Sequence, residues 1–347
     1  MTDIEDSLVL AEMPPELGDV VPICPGVGWL RMPLPMGLNH INLWLLEDGE
    51  GWALVDTGMG TPETEQMWEQ HILTTLANKP IKRLLVTHMH PDHVGMAGWL
   101  ADRFGLTLEM TGGEYLLCRI LVADTFQAPP PEAVGFYRGV GFDDAQITAY
   151  TSKFGGFGRV VRRLPAAFQR LTDGQNLSIG GRSWEVVVGR GHSPEHACLF
   201  CPELNVVISG DQILPNISSN VSIWPTEPDA NALDDWLSSC RDLQRRLPED
   251  VLVLPSHGRP FQGAHRRLQS LIRGHEQGLE RLLAAMDEPR RVVDLLDALF
   301  KRTLPMGEHF FMACGECLAH LNYLLDQGQI RRYTGDDGAW WHERIGG

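Results

Sequence analysis

Between Thr87 and His93 the chain reads Thr-His-Met-His-Pro-Asp-His, directly after the apolar run KRLLV. Neutral imidazole and carboxylate are the donors that zinc and similar divalent ions take. If the apolar run is a buried strand, His88 and His90 are residues i and i+2 of an extended chain. They then project to the same side and can grip one ion. Pro91 turns the chain into a helix, which redirects Asp92 and His93 toward a second ion nearby. The motif therefore asks for a strand, a turn and a helix in succession.

Two ions need more ligands than these four. The further candidates are His192 in GRGHSPEH, Asp211 in ISGDQIL and His257 in LPSHGRP. Each follows an apolar, strand-like run and precedes a loop, where sites are built on layered α/β scaffolds. His196 is open to two readings, as a support behind the ligands or as a packing residue. His40, in LNHINLW, either approaches the site or caps a hairpin. His71, His265, His275, His309, His320 and His342 read as structural or solvated.

The rest of the chain supplies layers. INLWLLE (41–47) and WALVD (52–56), separated by DGEG, read as a hairpin. Residues 62–78 carry apolar positions at helical spacing. Val94 to Phe104 reads as a helix and LTLEM (106–110) as a strand. Strands are expected again at 183–189, 196–201, 205–210 and 251–255, and helices at 230–246 and 263–285. This order predicts two sheets covered by helices, a four-layer α/β arrangement. Residues 1–30 read as irregular, because Pro14, Pro15, Pro22 and Pro25 punctuate them. Residues 113–170 read as a helical insertion over the site, within a catalytic domain spanning 1–285. Residues 286–347 read as helix, helix and hairpin, a winged-helix-like subdomain, with 290–302 helical and a second helix ending at the glycine stop of 313–328.

Composition bounds the partners. The formal net charge is −16. Affinity for nucleic acid comes largely from cations that displace phosphate counterions, so an acidic chain argues against it. The tail 286–347 holds seven Lys or Arg against ten Asp or Glu, whereas a nucleic-acid-binding wing is expected to be basic. The tail reads instead as a packing or dimerisation element, so a homodimer is one expectation. No apolar run reaches the roughly 18 residues of a membrane span. The acidic N-terminal segment does not read as a secretory signal, which makes the cytoplasm the expected location. The seven cysteines therefore do not suggest a disulfide framework. Two pairs, Cys198 with Cys201 and Cys314 with Cys317, have C-x-x-C spacing. A structural zinc site from both pairs is conceivable, but small buried residues are the favoured reading. CLFC is strand-like and CGEC is expected at the start of a helix.

THMHPDH resembles the HxHxDH signature of the metallo-β-lactamase superfamily. LVDTG (54–58), GHSPEH, SGDQIL and PSHG resemble its other characteristic segments. The resemblance covers about residues 40–260 and implies the four-layer αββα fold. It implies that His88, His90 and His192 hold one ion, that Asp92, His93 and His257 hold the other, and that Asp211 bridges them. Asp56 would stand behind the ligands and orient one of them or its loop. AHLNYLLDQGQIRR (319–332) is similar to the tail of a subgroup that includes a β-lactamase-like endoribonuclease.

The implied chemistry is hydrolysis by a hydroxide bridging two divalent ions, zinc or alternatively iron or manganese. Asp92 and Asp211 orient that hydroxide while serving as ligands. A small acyl substrate, thioester or lactone, is the leading expectation. Phe136, Tyr137, Phe154, Phe157 and Trp224, with His40, are candidates to wall its pocket. A phosphodiesterase or endoribonuclease of the same fold is the alternative, and a non-hydrolytic metal-binding or redox protein a third class.

Overall fold

The computed structural model describes residues 9–10, 13–35, 37–72, 76 and 79–346. Two seven-stranded sheets lie face to face in it. The first runs, in spatial order, Val20–Cys24, Val27–Pro33, His40–Asp48, Gly51–Val55, Ile81–Leu85, Leu108–Thr111 and Phe168–Leu171. Its first four strands pair antiparallel and the last three join in parallel. The second runs Val9–Leu10, Phe261–Gln262, Leu252–Pro255, Val206–Gly210, His196–Cys201, Arg182–Gly189 and Asn176–Ile179.

Successive side chains of a strand point to opposite faces, and here both faces are buried. Trp44 and Leu46 enter the core between the sheets, whereas Leu43 and Leu45 pack under the helices Ala97–Phe104 and Gly112–Ala123. On the second sheet, Leu199 and Cys201 face the inter-sheet core. Cys198 and Phe200 face the helices Ala232–Arg246 and Ala264–Ala284. Double burial explains why these strands read as continuous apolar runs rather than alternating ones. The layers are helix, sheet, sheet, helix, as expected. Cys198 and Cys201 thus point to opposite sides of their sheet and cannot clamp one ion.

Several expectations need correction. Residues 20–33 are not irregular: Val20–Cys24 and Val27–Pro33 form a hairpin, with Pro22 on an edge strand where a missing N–H is tolerated. The 113–170 segment is not a single insertion. The helix Gly112–Ala123 is the crossover between the parallel strands Leu108–Thr111 and Phe168–Leu171, and its Tyr115 and Cys118 are buried in the first helical layer. Only Pro131–Val140 and Asp144–Lys153 are added helices, the latter started by a capping box of Asp143 and Gln146. The strand Phe168–Leu171 escapes sequence reading because it is a mostly exposed edge. In the tail, 290–302 is a two-residue strand, a 3-10 turn and the helix Leu296–Phe300. The following helix begins at Glu308, so Cys314 and Cys317 lie within it rather than at its start. Of the helical segment 62–78, the structure shows Pro62–Met67 and a π turn over Trp68–Ile72; residues 73–75 and 77–78, and the side chain of His71, lie outside the described residues.

The tail also has a small sheet of Arg290–Arg291, Trp340–Arg344 and Ile330–Thr334. Its buried Leu295, Leu318, Leu321 and Ile330 belong to one apolar cluster with Trp236, Leu243 and Leu268 of the catalytic layers. Phe136 and Tyr137, expected along a pocket wall, are in that cluster too. Tyr137 packs against Phe142, Tyr150 and Phe311, and Phe136 against Trp340. Gly139 is the point of closest approach, since a Cβ there would stand 2.4 Å from the Trp340 ring.

Candidate metal centre

Five loops at strand ends converge. The strand Gly51–Val55 delivers Asp56, whose φ of +64° lies in the left-handed region. Asp56 N donates to Leu85 O at 2.9 Å, and Asp56 Oδ1 accepts from Thr87 N at 2.8 Å. The next strand thus ends in register beside it. Thr57 Oγ1 donates to His93 O at 2.6 Å and accepts from Met96 N at 3.1 Å. The chain turns at His90 into the short helix Pro91–Val94, with Pro91 at its first position.

The donor atoms form two groups, His88 with His90, His192 and Asp211, and Asp92 with His93 and His257. Within each, the atoms lie within 4.8 Å of one another. His88 Nε2 is 2.9 Å from His90 Nδ1 and 3.3 Å from His192 Nε2. Asp211 divides itself between the groups. Its Oδ2 lies 3.5 Å from His192 Nε2 and 4.0 Å from His88 Nε2. Its Oδ1 lies 3.4 Å from His93 Nε2 and 3.5 Å from His257 Nε2. Asp92 Oδ2 closes the second group at 3.3 Å from His257 Nε2 and 3.7 Å from His93 Nε2.

These spacings fit cations. A tetrahedral site with bonds of about 2.1 Å has donor–donor edges of about 3.4 Å. His93 Nε2 and Asp211 Oδ1 are buried, yet neither makes a hydrogen bond of ordinary geometry. Buried polar atoms are normally partnered, so this pair asks for a ligand between them. The charges agree. Burial drives His93 toward neutrality, but the carboxylates of Asp92, Asp211 and Asp56 outweigh it and hold the imidazole well above its usual pKa. Burial alone would raise Asp211, yet His93 and His257 hold it well below the carboxylate range. The carboxylates demand positive charge at this spot. His90, by contrast, is pushed down to about 3, chiefly by burial, which keeps it a neutral donor.

Three ring nitrogens are fixed from behind. Nδ1 of His93 donates to Asp56 Oδ2 at 2.8 Å, Nδ1 of His192 to Asn220 O at 2.7 Å, and Nδ1 of His257 to His40 O at 2.9 Å. Each bond selects the tautomer that leaves Nε2 as a lone-pair donor. His196 is a support: its buried Nε2 accepts from Asp211 N at 3.0 Å. His40 takes the first of its two expected roles and approaches the site. Its ring lies 6.4 Å from that of His257, and its Nε2 accepts from Gly258 N at 3.2 Å. Burial and Arg31 push its pKa down to about 4. Phe157 packs against the first helical layer, Phe154 beside Tyr150, and Trp224 is 38% exposed.

Glu114 escaped the sequence reading. It is fully buried, and accepts from Met89 N at 2.9 Å and from Glu195 N at 2.7 Å. It ties the HxHxDH loop to the His192 loop, and burial pushes its carboxyl up. The available signal was an acid in the first turn of a mostly apolar helix that starts at a strand end. Asn220 carries no such signal, because its backbone carbonyl is the functional atom. Among the described residues, no candidate metal group includes a cysteine.

The metallo-β-lactamase superfamily model matches residues 36–257, and a metallo-β-lactamase-like C-terminal domain model matches 279–345. The chain belongs to the metallo-β-lactamase superfamily and is a metal-dependent hydrolase of that class. It is similar to a β-lactamase domain protein from Burkholderia ambifaria, with 38% identity, a TM-score of 0.89 and coverage of 99% of each chain. A metallo-β-lactamase family protein from Thermus thermophilus is 28% identical with a TM-score of 0.76, over 93% of this chain and 100% of that one. A probable metallo-hydrolase of Bacillus subtilis is 24% identical, over 88% of this chain and 93% of its own length. An atrochrysone carboxyl ACP thioesterase of Aspergillus fumigatus is 26% identical over 64% of this chain, which spans 38% of that protein. Among the described residues, no helix is long and apolar enough to cross a membrane.

Proposed function

We propose that the chain hydrolyses the acyl bond of a small thioester or lactone with two divalent ions, zinc by the chemistry of the donors. His88, His90 and His192 hold one ion, Asp92, His93 and His257 the other, and Asp211 is shared. The observation that carries this is the division of Asp211, one oxygen toward each group. When bound, such a pair supplies an activated water and a Lewis acid for the carbonyl oxygen.

The residues do the rest. Asp92 and Asp211 hold the attacking water by its hydrogens and orient its oxygen toward the acyl carbon. The C–S or C–O bond to the leaving group then breaks, and the proton released by water goes to that group. Water is the proposed attacking group, since the donor groups hold only histidine and aspartate and the thiols of Cys118, Cys198, Cys240, Cys314 and Cys317 are buried and pushed up by burial. An acyl substrate is supported by the likeness to a fungal acyl-carrier thioesterase and by the net charge of −16, which disfavours a polyanion. His40, at the rim of the second ion site, and the exposed Trp224 are the proposed contacts for the substrate.

The test is a panel of acyl thioesters, lactones, phosphodiesters and single-stranded RNA, assayed with zinc and with manganese. Turnover of thioesters or lactones is expected. Cleavage of RNA without turnover of any ester overturns the reading.

A further inference from the structure

We infer that Glu316, on the C-terminal helix, is a positioning residue for His192, acting through Asn220, and that the tail is thereby a working part of the metal site. The inference rests on the dinuclear reading above.

The path is short and continuous. His192 Nδ1 donates to the backbone carbonyl of Asn220 at 2.7 Å. The Asn220 side chain is gripped at both ends. Its Nδ2 donates to Glu316 Oε2 at 2.9 Å and, at the longer 3.4 Å, to Met312 O, and its Oδ1 accepts from Ser222 Oγ at 2.5 Å. Ser222 Oγ also lies 3.0 Å from Met312 O, and Ile223 N donates to Gly315 O at 3.1 Å. Met312, Gly315 and Glu316 all belong to the helix Glu308–Asp326. At Gly315 an added Cβ would stand 2.8 Å from the Ser222 side chain and 3.0 Å from Ile223 O. Only glycine lets the helix come this near. On its other side the same loop reaches the shared ligand, since Ser219 Oγ donates to Asp211 O.

Among the described residues, Asn220 is the one hydrogen-bond partner of the Glu316 side chain. The Glu316 side chain is half-buried. Partial withdrawal from water pushes its carboxyl up to about 7 despite the Asn220 bond, and such a carboxyl costs free energy unless partnered. A packing role would be served by an apolar residue, as at the neighbouring buried Cys317 and Leu318. What an apolar residue cannot do is hold the Asn220 amide, and with it the carbonyl that selects the His192 tautomer. Supports of this kind shift metal affinity by about 10–100-fold.

The experiment uses the full chain and its Glu316→Leu, Glu316→Gln and Asn220→Ala variants, loaded with zinc or cobalt(II). Chelator competition reads the affinity of each ion, and the cobalt spectrum reads its ligand field. Glu316→Leu and Asn220→Ala are expected to weaken one ion about 10-fold or more, with a changed spectrum for that ion, while the other ion holds as in the wild type. Glu316→Gln is expected to stay near the wild type, because its amide oxygen accepts the same N–H. A purely structural role would lower melting temperature without separating the two ions. If Glu316→Leu does not fold, Asn220→Ala decides alone. Wild-type affinity in every folded variant, or equal weakening of both ions, overturns the inference. A wild-type chain that fails to bind two ions overturns the dinuclear reading itself, and this is seen before any variant is compared.

Discussion

Asp56 Oδ2 accepts a 2.8 Å hydrogen bond from Nδ1 of His93, 37 residues further along the chain. The same carboxylate accepts from Thr87 N and from Thr87 Oγ1. One group therefore sets the start of the HxHxDH loop and the ring at its end.

Replacing Asp56 with alanine is expected to do two things. Thr87 N loses its acceptor in a buried place, at about 1–3 kcal/mol. His93 loses its tautomer control, which weakens the second ion by about 10–100-fold. Thermal unfolding and metal content after dialysis against a chelator check both. Unchanged melting with both ions retained would show that Asp56 holds nothing.

His90→Ala and Asp211→Ala are expected to abolish hydrolysis, with loss of ions measured by elemental analysis. Asp211→Ala should be the more severe for metal content, since its two oxygens face both groups. Full turnover with two tightly held ions in either variant would refute the assignment.

Tyr137→Ala tests whether that ring belongs to the core. Removing a buried aromatic costs about 3–5 kcal/mol, so the unfolding midpoint should fall sharply while metal content is kept. A raised KM at unchanged stability would instead put Tyr137 in a substrate pocket.

Acid should destabilise the metal-free protein in the pH range where a free imidazole takes up its proton. Burial pushes His275 to about 3, and His320 and His342 to about 4. Between the ordinary imidazole value near 6.5 and these lower ones, the unfolded chain binds protons that the folded chain refuses. Stability held above pH 6.5 is therefore lost progressively as the pH falls toward 4. Urea midpoints measured from about pH 6.5 to about pH 4.5 should fall less steeply in a His342→Phe variant than in the wild type.

The HxHxDH motif and its three distant partners were legible because ligation needs particular elements at strand ends, and doubly buried strands announce themselves as apolar runs. The strand at 196–201 has its expected bounds for that reason, and the amphipathic helix 232–246 begins two residues later than expected. What was hidden had weak patterning or worked through backbone atoms. Phe168–Leu171 is an exposed edge without alternation. Val20–Cys24 carries a proline that only its edge position excuses. The aromatics at 136 and 137 were apolar enough for either a pocket or a core. Their placement depended on Phe311 and Trp340, far away in sequence.

The donors come from both sheets: His88 to His93 follow a strand of the first, and His192, Asp211 and His257 follow strands of the second. Ions bound there rivet the two halves of the sandwich together. Because the unfolded chain has no such cluster, ion binding adds its free energy to that of folding. The lifetime of this protein in a cell should then track the supply of free divalent metal, so that scarcity removes the enzyme as well as its catalyst.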